Sequence, residues 1–247
     1  MDLSADARLG PRVSPVRRAV ILSAGKASRL GGHNKLLVEA GGRRVSEWHR
    51  ALLDGYRTAV VTRPVDAAEV AIALPWVDRV VGHPDADGPV GALSAYLSAY
   101  PEEEEILVLF ADTLLVPQPL PAGDWVGVAA APARRWDFPA ENGHWARGVV
   151  DLPVCVGIYA FAYPAELRRA IVGAREDAET IGVSDMPMTL LLNRYAREAT
   201  LPWNRIRGWH DAGDPAALAL VPRWEEAIRE DPTPREVDGT LTVRWRR

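Results

Sequence analysis

A short apolar run, Ala19 to Leu22, passes straight into small residues, Ser23-Ala24-Gly25-Lys26-Ala27-Ser28. An unbroken apolar run flanked by Arg17 and Arg18 reads as a strand buried on both faces, the setting of a central strand in a parallel sheet. The residues after it let backbone N–H groups come close to an anion, and successive N–H groups make a cradle for phosphate. Arg29 and Lys35 follow, with Gly31 and Gly32 between them. An ordinary strand-to-helix turn accounts for the glycines equally well. The stretch is not a Walker loop, because G-K-[ST] is missing at the required spacing, and it is not G-x-G-x-x-G.

Lysine usage sharpens this reading. Lysine and arginine together number 29, yet only two are lysines, Lys26 and Lys35, and both lie in this loop. A lysine whose only task is to be positive is replaceable by arginine. A compact point charge beside one phosphoryl oxygen is not.

The loop resembles the signature of the nucleotidyltransferase family that makes nucleotide-sugars and similar activated metabolites. That signature runs L-x-A-G-x-G-x-R-L, a spacer, then P-K-x-L. Here it reads Leu22 to Leu30, then Asn34-Lys35-Leu36-Leu37, with Ala27 in place of the second glycine and Asn34 in place of the proline. The resemblance implies that Ser23, Ala24, Gly25, Lys26 and Ser28 contact the nucleotide. It gives Arg29 and Lys35 the catalytic charges.

A length of 247 residues, 48% hydrophobic and 25% charged, suits one large α/β domain or two small ones. The net charge of −4 argues against a nucleic-acid or anionic-membrane surface. Cys155 is the single cysteine, which rules out an intrachain disulfide and gives no sign of an oxidising compartment. With no membrane-length apolar run and no secretory signal, cytoplasm is the expected location.

Residues 1–16 read as a loose extension, 17–220 as the transferase domain, and 221–247 as a helix from Trp224 to Glu230 and a hairpin around Asp238-Gly239 on the same domain. Within the domain, a helix is predicted over Val45–Leu53, a strand over Arg57–Thr62, a helix over Asp66–Leu74 and a strand over Arg79–Gly82. This alternation is the α/β pattern. Gly88-Pro89 makes a turn, and a helix is predicted from Gly91 to Tyr100. In the family a glycine-rich segment here lines the base and ribose, which assigns Gly88, Pro89 and Gly91. Glu102 to Glu105 reads as a solvated connection.

Ile106 to Leu115 opens with five apolar residues that run into Ala111-Asp112-Thr113 and then turns apolar again, which places Asp112 at the end of a buried parallel strand. An ionised carboxylate in such a place is costly unless it is paired or binds a cation, and the ends of parallel strands are where ligands bind. Trp125–Ala131 is a further strand, Arg134–Gly148 a loop beside the site, and Val149–Val154 and Val156–Phe161 two more strands. Val156-Gly157-Ile158-Tyr159 resembles the family strand that contacts a sugar phosphate, which makes Gly157 and Tyr159 substrate candidates. The E-K-P lysine of sugar-nucleotide relatives is absent, and Arg147 is its substitute, with Arg134 or Arg135 next. Asp177–Arg197 reads as loop then helix, resembling L-T-D-x-x-x-x-L-L, with Asp185 starting the helix; the resemblance also makes Asp185 a substrate candidate. Trp209, Asp211, Gly213, Pro215 and Leu218 match W-x-D-x-G-T-P-x-x-L, whose aspartate supplies the second metal carboxylate; Asp214 replaces the threonine and is expected to cap the helix.

The resemblance therefore implies a three-layer α/β/α sandwich with a mostly parallel sheet. It implies transfer of a nucleoside monophosphate from a triphosphate to a small phosphorylated acceptor, with Mg²⁺ on Asp112 and Asp211. No glutamine marks the base pocket, and the oligomeric state stays open. One rival is a glycosyltransferase of the same fold, which usually needs a D-x-D triplet that Ala111-Asp112-Thr113-Leu114 does not supply. The other is a non-catalytic nucleotide-binding subunit, against which the presence of Arg29, Lys35, Asp112 and Asp211 argues.

Overall fold

The computed structural model describes residues 17–25, 27–84, 87–101, 105–129, 135–139, 145–149 and 154–230, the two five-residue segments by their backbone. The order is β1 (Arg18–Ser23), β2 (Glu39–Ala40), β3 (Arg43–Arg44), α1 (Val45–Leu52), β4 (Arg57–Thr62), α2 (Ala67–Ala73), β5 (Arg79–Gly82), α3 (Gly88–Ala99), β6 (Ile106–Phe110) and β7 (Thr113–Leu115). There follow β8 (Trp125–Ala129), β9 (Arg135–Pro139), β10 (Trp145–Val149), β11 (Val154–Phe161), α4 (Pro164–Ile181), α5 (Met188–Tyr195), β12 (Trp203–Arg205), β13 (Trp209–Asp211) and α6 (Pro215–Glu230).

Seven strands form the central sheet in the order β12-β8-β11-β6-β1-β4-β5. β1 is parallel to both β4 and β6, β5 is parallel to β4, and β12 to β8; β11 alone runs antiparallel to its neighbours β6 and β8. The apolar run of β1 serves both faces. Val20 and Leu22 enter a core with α3, α4 and α5, whereas Ala19 and Ile21 enter a second core with α1, α2 and Val221 of α6. Strict alternation between two buried faces is why this strand is apolar throughout. The result is an α/β fold of helices on both sides of a mostly parallel sheet.

Several elements differ from the sequence expectation. Asp112 follows the end of the buried strand as expected, with β6 stopping at Phe110, but the apolar residues after it form a separate strand, β7, that leaves the sheet to pair with β13. A carboxylate has no place inside a two-faced core, so the chain turns there. Of the two strands expected over Val149–Val154 and Val156–Phe161, the second is β11, which already begins at Val154 and has a bulge between Cys155 and Tyr159; Val149 ends β10, and 150–153 lie outside the described residues. The segment read as a loop, Arg134–Gly148, contains the antiparallel pair β9–β10. Helix α3 begins at Gly88, with Pro89 in its first turn, rather than at Gly91. Helix α4 runs through Asp177 to Ile181 and ends on Gly182 in the left-handed conformation. The helix expected at Trp224 is the second half of α6, which packs back on the domain through Trp224 and Trp48, ring centroids 5.0 Å apart. The extension over residues 1–16 and the hairpin at Asp238-Gly239 lie outside the described residues. Among those described, no helix is long and apolar enough to cross a membrane.

Candidate active site

The site lies at the carboxyl ends of β1, β4 and β6, where the strands release their loops. Ser23 ends β1, buried, and its hydroxyl donates to Asn34 Oδ1 at 2.9 Å. Ala24 is buried, while a side chain added at Gly25 would meet nothing within 4 Å. Lys26 lies outside the described residues. Ala27 adopts φ 48° and ψ 32°, the only non-glycine with positive φ among the described residues. Its carbonyl accepts from the N–H groups of Leu30 at 2.8 Å and Gly32 at 3.1 Å, so the loop folds back on this residue. A left-handed alanine costs about 1–2 kcal/mol, and the chain meets that cost where the family signature has glycine. A short 3₁₀ turn, Ser28–Leu30, then presents Arg29.

Lys35 opens a second 3₁₀ turn, Lys35–Leu37, capped by the Asn34 side chain. Its ammonium lies 2.5 Å from Asp112 Oδ2. Asp112 sits in the turn between β6 and β7, held by two backbone bonds: Ala111 N–H donates to Leu22 C=O at 3.1 Å, and Ala212 N–H donates to Asp112 C=O at 2.7 Å. Burial pushes the Asp112 carboxyl up, but the Lys35 charge and its hydrogen bond, with Arg29 behind them, outweigh burial and hold it below its usual value. Behind the turn, the buried His49 of α1 places Nε2 3.0 Å from the Ala111 carbonyl.

Gly213 is the meeting point of the charged groups. A Cβ there would lie 2.8 Å from Asp211 Oδ1, 3.2 Å from Arg29 Nη2 and 3.2 Å from Asp112 Oδ2. Asp211 ends β13, and its Oδ1 accepts from Gly213 N–H at 2.9 Å. Asp214 caps α6 as expected, accepting from Ala217 N–H at 2.9 Å, and its other oxygen faces Arg29 at 3.7 Å. Pairing of β13 with β7 places Asp211 opposite Thr113, and so brings it to the Asp112 turn.

A cavity of about 470 Å³ opens over these groups. Of the residues singled out in the sequence, Ala24, Gly25, Ser28, Arg29, Lys35, Gly88, Pro89, Asp112 and Asp185 line it. Ser23, Gly91 and Asp211 stand behind the lining. A Cβ on Gly91 would strike the Asp87 side chain, 2.1 Å away. Gly157 and Tyr159 are elsewhere. Gly157, at φ 74°, packs against Thr113 and Phe110, and Tyr159 is buried against the Phe110 ring, centroids 5.7 Å apart. Arg147 lies in β10, opposite Asp137, and its side chain is outside the described residues. Asp185 does not start a helix: α5 begins at Met188 with Pro187 as its cap. Instead its carboxylate abuts Gly88, where a Cβ would lie 1.8 Å from Oδ1. Gly88 takes φ 65° at that contact.

Sequence reasoning did not select Pro84, Ala92, Phe110, Ser184 or Gly213 as site residues, although all line the cavity. Two of them carried a signal: Gly213 stands between two aspartates, and Ala92 belongs to the segment after Gly88 that resembles the family's base-lining motif. Among the described residues no group of three or more His, Cys, Asp or Glu is arranged to hold a metal. Asp112 and Asp211, on either side of Gly213, nevertheless suit magnesium, which takes one or two carboxylates and completes its shell with phosphate oxygens and water.

A family model described as a MobA-like NTP transferase domain matches residues 19–179. Similar solved structures include the inositol-1-phosphate CTP transferase from T. maritima, 15% identical, covering 87% of this chain and 97% of that one with a TM-score of 0.67. Another is CTP:phosphocholine cytidylyltransferase from Streptococcus pneumoniae, 11% identical, covering 84% and 98% with a TM-score of 0.68. A third is the nucleoside-diphosphate-sugar pyrophosphorylase from Vibrio cholerae, 17% identical, covering 83% and 99% with a TM-score of 0.66. At these identities the likeness is one of fold. No curated protein matches the sequence.

Proposed function

The chain belongs to the MobA-like NTP transferase domain family, and from that membership, which makes it a nucleotidyltransferase, we propose that it transfers a nucleoside monophosphate from a nucleoside triphosphate to a small phosphorylated acceptor. A sugar 1-phosphate is the simplest acceptor, and pyrophosphate is the second product. The observation that carries this reading is the convergence of Arg29, Asp112 and Asp211 at Gly213, with Lys35 joined to Asp112.

The chemistry needs little from the protein beyond placement. An acceptor phosphate oxygen is already an anion at neutral pH and attacks the α-phosphorus in line. The bond from that phosphorus to the bridging oxygen breaks, and its electron pair leaves with pyrophosphate. No protein nucleophile or general base takes part, so the rate comes from positioning and charge neutralisation. Arg29, which lines the cavity with a largely exposed side chain, holds the departing β- and γ-phosphates. Lys35 offsets the repulsion between the α-phosphate and the incoming oxyanion. Asp112 and Asp211 would hold magnesium, which when bound supplies positive charge at the α-phosphate. Gly25, with open space where a side chain would stand, lets the loop backbone reach the triphosphate.

The test is a pyrophosphate-release screen with Mg²⁺, crossing ribo- and deoxyribonucleoside triphosphates with sugar 1-phosphates, phosphocholine and simple phosphonates. Release with one pair, lost in Asp112→Ala, is the expected result and names the substrates. Triphosphate binding with silence across the panel would replace this reading with that of a non-catalytic nucleotide-binding subunit.

A further inference from the structure

Asn34 occupies the position of the family's proline, directly before Lys35. Its φ is −62°, the angle a proline ring would impose, yet it has no ring to impose it. The side chain does the work instead. Asn34 is buried, and its carboxamide makes four hydrogen bonds. Oδ1 accepts from Ser23 Oγ at 2.9 Å and from Leu36 N–H at 3.0 Å, while Nδ2 donates to Thr62 Oγ1 at 2.7 Å and to Asp66 Oδ2 at 3.2 Å. That is the full capacity of a primary amide.

The four partners come from the last residues of β1 and β4, from the Lys35 turn and from the segment after β4. Ser23 and Thr62 are register partners in the parallel sheet, so the amide bridges two strand ends at the point where the site begins. A second tie continues from Asp66. Arg63 pairs with Asp66 at 2.7 Å and donates through Nη2 to the Gly32 carbonyl at 2.6 Å, holding the far limb of the phosphate loop. We propose that Asn34, supported by Thr62, Asp66 and Arg63, is a positioning residue that fixes where the Lys35 ammonium stands.

The proposal deepens the transferase reading, but its first test does not depend on it. Because Lys26 and Lys35 are the only lysines, selective ¹⁵N/¹³C-lysine labelling gives two side-chain NMR signals, and Asp112→Asn identifies the one from Lys35. In folded Asn34→Ala the Lys35 signal is expected to move toward its position in Asp112→Asn. Asn34→Pro, which keeps the φ but strands Ser23, Thr62, Asp66 and the Leu36 N–H, is expected to do the same. Thr62→Val, a near-isosteric change that removes one acceptor, serves if the Asn34 variants do not fold, and moves the signal less in the same direction. With a substrate pair in hand, kcat falls about 10- to 100-fold in Asn34→Ala while KM for the triphosphate changes less than threefold, since misplacing one group by about 1 Å can cost 10²-fold. A Lys35 signal unmoved in Thr62→Val, or in folded Asn34→Ala or Asn34→Pro, would overturn the proposal whatever the enzyme's substrate. A moved signal with no catalytic activity in any arm, wild type included, would count against the transferase reading alone.

Discussion

Lys35 Nζ lies 2.5 Å from Asp112 Oδ2, and this ion pair ties the loop after β1 to the turn after β6. Both side chains are about four-fifths buried, at 22% and 18% exposure, so solvent screens the pair only in part. Removing one partner leaves the other charge poorly compensated. Lys35→Met is expected to raise the Asp112 carboxyl from below its ordinary 3.8 to above it, because burial is then the main remaining influence. A ¹³C-carboxyl NMR titration reads this directly. In the proposed reaction, loss of either Lys35 or Asp112 costs on the order of 10²–10³ in kcat.

Gly213→Ala separates the site from the fold. The new Cβ would press on Asp211 Oδ1, Arg29 Nη2 and Asp112 Oδ2, at 2.8, 3.2 and 3.2 Å. Two of these belong to long or hinged groups that can retreat, so the expected stability loss is small, about 1 kcal/mol. Retreat spoils the convergence, and kcat should fall at least tenfold. Urea denaturation beside steady-state kinetics shows whether the two effects part as expected.

Ala27 is strained in a way that substitution can grade. Ala27→Gly removes the left-handed penalty of about 1–2 kcal/mol but adds chain entropy to the unfolded state worth about 0.4–1 kcal/mol. The net expectation is a gain between about 0 and 1.6 kcal/mol. Ala27→Val places a β-branched residue at φ 48° and should cost about 1–3 kcal/mol. It should also raise KM for the triphosphate as the loop deforms. Chemical unfolding of the three proteins gives the order Gly, Ala, Val.

Burial lowers the pKa of His49 from its ordinary 6.5, and the Ala111 carbonyl only partly opposes this. A neutral imidazole in the fold and a titratable one in the unfolded chain mean that the unfolded state binds more protons below pH 6.5. Stability from this group is therefore complete above about pH 6.5 and is lost as pH falls below it, with a limiting slope of about 1.4 kcal/mol per pH unit. His49→Leu should flatten that part of the profile and lower the plateau by about 1–3 kcal/mol, since the Ala111 carbonyl loses its donor. Urea midpoints between pH 5 and 8 make the comparison.

Much of the frame was legible because it rests on unbroken apolar runs. β4 and β5 fall where Arg57–Thr62 and Arg79–Gly82 place them, and the buried positions of α1 include Trp48 and Leu52, as their spacing requires. Parts governed by distant partners were not legible. The departure of β7 from the sheet depends on its partner β13, which lies almost a hundred residues later in the chain. Asp185 looked like a helix cap because a helix follows, whereas its neighbour in space is Gly88. The alternation in Trp136-Asp137-Phe138 that builds β9 is too short to distinguish from a polar loop until β10 pairs with it. Tyr159 sits in a motif shared with substrate-binding strands and shares a core with Leu22, Ala92 and Phe110, which line the cavity, but it is buried against Phe110; motif position alone does not tell whether a side chain reaches the cavity or stays in the core.

The backbone at Ala27 is left-handed without a glycine to make it so. A dihedral angle that glycine makes easy is here imposed by neighbours, through the bonds that Leu30 and Gly32 make to the Ala27 carbonyl. The loop's shape is thus a property of its surroundings rather than of the residue at its bend. A search pattern that insists on glycine at this position would pass over chains that bend the same way, and a pattern written in backbone angles would retain them.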